Sequence, residues 1–118
     1  MRLTDLTCLN GFGVNIGFDY SFQVAIDGED FTGRTFFFKV KSSKVDLTFL
    51  FELTNSVDSS VSGVFFTDPT LGIVDILIKA ADSAAIDPQN AVYEFYYTTA
   101  TSKIILFEGS LQFSSGVV

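Results

Sequence analysis

Fourteen carboxylates, seven cations, one thiol and no imidazole are the groups with which this 118-residue chain could do chemistry. Without histidine it lacks the commonest general base and the usual Ser/His and Cys/His nucleophile pairs. Cys8 alone cannot assemble a structural zinc site. It reads as a small apolar residue, and an unpaired thiol suits a reducing compartment. A glycosidase-like carboxylate pair is formally available. However, Asp46, Glu52, Asp75 and Glu94 fall on the outward parity of strands, where charge faces water and discourages edge pairing. Asp27, Glu29 and Asp30 lack the regular spacing of a calcium loop and read as a solvated turn. The glycines at 11, 13 and 17 precede a strand, whereas a dinucleotide fingerprint follows a strand and opens a helix. No catalytic, cofactor-binding or metal site is expected.

The formal net charge of −7 narrows the partners. Nucleic acids and anionic membranes are bound through clustered Lys and Arg, and the seven cations form no basic cluster, so neither is an expected partner. No apolar run approaches the roughly 18 residues of a membrane span. The stretch Met1-Arg2-Leu3-Thr4-Asp5 lacks the apolar core of a secretion signal, which leads to the expectation that the protein matures in the cytoplasm of the cell that makes it.

Positioning of these groups falls to β-structure. The 14 Phe and 4 Tyr suit pleated, half-buried surfaces. Residues 1–18 form a glycine/aromatic arm, too glycine-rich for a good strand interior and apolar enough to dock on its own domain or a neighbouring subunit. From residue 19 to 118 alternation dominates. Tyr20, Phe22, Val24 and Ile26 face one way; Phe36, Phe38 and Val40 do so in the next strand, and Leu47, Phe49, Phe51 and Leu53 in a third. A short strand spans 62–67, and Val74, Ile76 and Ile78 line the next. Tyr93, Phe95 and Tyr97 follow, then Ile105, Phe107, Leu111 and Phe113, which share a face with Gly109, read as a bulge or a close crossing. Residues 80–86 are the one helical stretch, ended by Asp87-Pro88. Turns at Asp27-Gly28 and Asp68-Pro69 punctuate the pattern. The expected fold is an all-β, immunoglobulin-like antiparallel sandwich of about seven strands.

Five large apolar residues, Phe37, Leu50, Phe65, Leu77 and Tyr96, sit on the parity opposite to the buried set. That is more than a free monomer comfortably exposes. With Phe12, Val14 and Ile16 of the arm, they are the candidate partner contacts.

Several segments also resemble a known family. Asp30-Phe31-Thr32-Gly33-Arg34-Thr35 is similar to the "D-L-T-G-Y-T" turn of small bacteriophage tail and baseplate proteins related to the N-terminal domain of the phage baseplate upper protein. Residues 72–78 followed by 80–88 resemble that family's "G-x-[IV]-x-[IL]-x-[IL]-[ST]-A-x-[DE]-T-A-x-L-P" strand and turn. Residues 92–97 resemble its "Y-x-[YF]-D-[LV]" segment, and 106–113 its closing "L-x-E-G-x-[VL]-x-[VF]" strand. Arg34 stands where an aromatic is common, and Asp87 where Leu precedes the proline. The resemblance implies an Ig-like virion component, a tail-fibre or baseplate connector working through protein–protein contacts with other virion proteins and with its own copies, a trimer being favoured. The alternatives are a capsid decoration protein and a receptor- or carbohydrate-binding module reading ligand with loops 55–60 and 100–103.

Overall fold

The computed structural model describes residues 2–3, 12–43, 49–58 and 60–114. Nine strands appear among them: β1 (Arg2–Leu3), β2 (Phe12–Asn15), β3 (Tyr20–Ala25), β4 (Thr35–Lys41), β5 (Phe51–Thr54), β6 (Gly63–Asp68), β7 (Ile73–Ile78), β8 (Gln89–Thr98) and β9 (Lys103–Ser114). A short helix, α1 (Ala80–Ser83), links β7 to β8. No helix among the described residues is long and apolar enough to cross a membrane. The strands form two sheets, ordered β1-β3-β7-β6 and β2-β9-β8-β4-β5. The chain is therefore all-β, a two-sheet sandwich whose seven strands from β3 onward pair antiparallel.

Period-two alternation builds the interior. Phe36, Phe38 and Val40 of β4 face Phe22 and Val24 of β3 and Val74, Ile76 and Ile78 of β7 across the sandwich, all buried. Aromatic rings fill much of the gap. Phe36 stacks on Phe95 at 5.3 Å and meets Phe31 edge-on at 5.0 Å. Such pairs add about 0.5–1.5 kcal/mol beyond the area they bury.

The connections depart from a run of simple hairpins. The Asp27-Gly28 turn does not join two paired strands; it carries the chain from one sheet to the other. Its backbone is stitched to the turn between β6 and β7, with the Ile26 amide donating to the Gly72 carbonyl at 3.0 Å and the Phe31 amide to the Pro69 carbonyl at 2.7 Å. Gly72 has φ 72°, and a Cβ there would lie 2.3 Å from the Ile26 carbonyl oxygen, so only glycine fits this crossing.

The arm is where the expectation changes most. β1 pairs parallel with β3, and β2 pairs parallel with β9 through Phe12 opposite Leu111 to Asn15 opposite Ser114. Its glycines do not prevent strand pairing, because the edge of β9 offers a parallel partner. Parallel neighbours need a long connection, and the intervening sandwich supplies it. Beyond β2, the Gly17 amide donates to the buried Ser83 hydroxyl at 3.0 Å. Asp19 accepts the Ala80 amide at 2.8 Å and pairs with Lys79 at 3.0 Å. These bonds fasten the arm to the helical turn.

Candidate interaction surface

The five-stranded sheet turns one face inward and one to solvent. Because β4 alternates, Phe37, Lys39 and Lys41 share the outer face. The register places Tyr96 of β8 opposite Phe37, Glu94 opposite Lys39, and Glu52 of β5 on the other side of Lys39. Phe37 and Tyr96 stack at 5.1 Å with 24° between ring planes. The Lys39 ammonium lies 5.4 Å from both rings and 4.9 Å from Phe49. Lys41 sits 4.9 Å from the same Phe49 ring, and Lys103 of β9 caps Tyr96 at 4.3 Å. Each such contact is worth about 0.5–1 kcal/mol at an exposed site.

Carboxylates complete the lattice. Lys103 pairs with Glu94 at 2.5 Å and Lys39 with Glu52 at 3.8 Å. The Tyr96 hydroxyl, and then the charges of Glu52 and Glu94, hold Lys39 above the ordinary lysine range against the opposing cost of its partial burial. Lys39, Lys41, Phe49, Glu94, Lys103 and Glu108 border a shallow pocket of about 260 Å³.

One irregularity decides what else reaches this face. Phe95 opposes Phe107, but Tyr96 opposes Ile105, so Leu106 is an extra residue in β9. A bulge reverses the parity of everything beyond it. Ile105, expected in the core, is thereby turned outward beside Tyr96 and is 47% exposed. The bulge lies at Leu106 and not at Gly109.

The candidate contacts separate into distinct groups. Phe37 and Tyr96 come together, although the cover of Lys39 and Lys103 leaves Tyr96 only 6% exposed. Phe65 and Leu77 lie, half-buried, on the outer face of the other sheet. Val14 is withdrawn as a partner contact: it is 0% exposed within the domain's own core, because β2 is zipped onto β9. Ile16 packs partly buried against the same core, with its amide on the Ser114 carbonyl at 2.8 Å. The side chain of Phe12 lies outside the described part, as do Asp46 and Leu47.

Leu50 and Phe49 exchange roles relative to expectation. Strand β5 begins only at Phe51, so alternation does not extend back to them. The Leu50 amide bonds the Val40 carbonyl at 2.7 Å and its side chain packs against the core, while Phe49 is 40% exposed under the lysines. The lysines were readable as part of this face, since they alternate with Phe37. Phe49 and Ile105 were not, since no residue type announces a strand's start or a bulge.

Elsewhere the acidic turn serves the backbone. The Asp30 carboxylate is held below the usual carboxylate range first by the Thr32 hydroxyl and then by the Thr32 amide, which donates to it at 2.9 Å. Among the described residues no group of three or more His, Cys, Asp or Glu converges on a possible metal position. No protein-family model and no curated protein matches the chain.

Proposed function

We propose that this protein is a structural component of a bacteriophage virion, a tail-fibre or baseplate connector that works by protein–protein contact and assembles with other virion proteins and with copies of itself. The observation that carries the assembly reading is the outer face of the five-stranded sheet. There Phe37, Phe49, Tyr96 and Ile105 form an aromatic and aliphatic centre ringed by lysines and glutamates. An apolar centre with a charged rim is the anatomy of a protein interface. The virion setting rests on the resemblance of residues 30–35, 72–88, 92–97 and 106–113 to phage tail proteins. In the fold, the first of these is a tight turn seating the buried Phe31, with Gly33 at φ 75°.

A carbohydrate-binding role finds less support on this face. Sugars stack on open aromatic faces, and here Lys39 and Lys103 stand over the Phe37–Tyr96 pair.

Electron microscopy of particles carrying a labelled copy of the chain tests the proposal. Label on the tail is the expected result. Label spread over the head would favour the decoration protein instead, and particles without label would overturn the virion reading.

A further inference from the structure

The outer face of the five-stranded sheet differs from the rest of the molecule in charge. It holds three lysines, Lys39, Lys41 and Lys103, and three glutamates, Glu52, Glu94 and Glu108. Of the fourteen acidic residues, Asp5 and Asp46 fall outside the described part, as do the cation Lys44 and the side chain of Arg2. The remaining nine carboxylates are accompanied by only Arg34 and Lys79. Two copies of so acidic a chain repel one another in most orientations, and a balanced face is where that repulsion is least.

Balance alone would not select a partner, but the pairing pattern does. Among the described residues, Lys39 and Lys103 have carboxylate partners on their own chain. Lys41 and Glu108 have none, and Glu108 stands opposite another carboxylate, Glu94, in the β-ladder. Both border the same pocket. One uncompensated cation and one uncompensated anion on a single face are complementary to the same face rotated by half a turn.

We propose that this face is a homodimer interface. A second copy of the chain docks on it about a two-fold axis, Lys41 of each copy meeting Glu108 of the other while Ile105 and Phe49 are buried at the centre. The inference rests on the assembly reading above and names its surface and partner. An isologous contact of this kind is self-closing and gives pairs, whereas a trimer requires two different patches. The area is adequate. Five strands about 4.8 Å apart, from four residues in β2 and β5 to twelve in β9, span roughly 600 Å², at the lower end of the ~600–1,000 Å² per partner of standard interfaces. The opposite sheet is a poorer candidate, because Asp75 and Asp68, the described charges on its outer face, are both acidic and would set like charges near one another across a two-fold axis.

Sedimentation velocity of the full chain, from micromolar to millimolar concentration, tests this. The wild type should dimerise, more weakly as salt is raised. Lys41→Glu and Glu108→Lys, each checked for native circular dichroism, should each weaken dimerisation about tenfold or more by placing like charges together. An equimolar mixture of the two variants should restore the dimer, since both cross-pairs then become attractive. Ile105→Glu, at an exposed position, should abolish it. A wild type that stays monomeric at millimolar concentration overturns the inference, as does a dimer indifferent to Ile105→Glu or a mixture that fails to recover. Particle labelling reports separately: a dimer without particle incorporation would leave this interface standing and remove only the virion reading.

Discussion

The Gly17 amide and the Ser83 hydroxyl, 66 positions apart in the chain, are joined by a 3.0 Å hydrogen bond. Ser83 is the one fully buried polar residue among those described, and its hydroxyl also donates to the Ala80 carbonyl at 3.3 Å. Ser83→Ala removes the acceptor and leaves the Gly17 N–H without it. A loss of about 0.5–1.5 kcal/mol is expected, the net worth of one hydrogen bond, since Gly17 is itself exposed. Urea denaturation measures the loss, and faster amide exchange at Gly17 locates it.

Phe36 is the hub of the aromatic core, touching Phe31, Phe66, Phe95 and Tyr97. Phe36→Ala should cost about 3–5 kcal/mol, the range for emptying a buried phenylalanine site. Against a typical domain stability of about 5–15 kcal/mol, the variant should unfold at clearly lower denaturant while Ile105→Glu does not.

Two glycines with similar backbone angles should respond differently to alanine. Gly33 has φ 75° with nothing near its missing Cβ, so Gly33→Ala pays only the left-handed backbone strain of roughly 1–2 kcal/mol. At Gly72 the same strain is compounded by a Cβ 2.3 Å from the Ile26 carbonyl oxygen and 3.0 Å from that of Glu29. Gly72→Ala should lower the melting temperature by more than Gly33→Ala; equal shifts would contradict the close packing of the two turns.

Acid should weaken the fold through specific carboxylates. Asp19 is held below its ordinary value of 3.8, first by the Ala80 amide and then by Lys79. Asp30 is lowered by the Thr32 hydroxyl and amide, and Asp58 by those of Ser60. A depressed native pKa gives stabilisation that is complete above the unfolded value and lost as pH falls through the native one. Thermal melts should therefore fall as pH drops below about 4. Asp19→Asn should shallow that decline relative to the wild type.

Much of this architecture was legible because alternation is hard to misread where both neighbours are present. Strands β3, β4, β7 and β8 each bury the residues their parity assigns: Phe22 and Val24, Phe36 to Val40, Val74 to Ile78, Tyr93 to Tyr97. Legibility failed where the backbone broke the count. The extra residue at Leu106 turned Ile105 outward, and the late start of β5 exchanged Phe49 with Leu50. Nor does local sequence encode which strand an arm will join. Val14 reads as sticky in isolation and is core only because β9 offers an edge. The stacking of Phe37 on Tyr96 needed the register, which brings together residues from different strands.

The parallel pairing of β2 with β9 also sets an order of events during synthesis. Residues 12–15 leave the ribosome long before residues 111–114 exist to receive them, so Val14 must wait, uncovered, until the strand that covers it has been made. Closure of the sandwich is thus a late step joining distant parts of the chain, the kind of contact that slows folding. In that interval the newborn arm is free to be captured by chaperones or by a neighbouring copy.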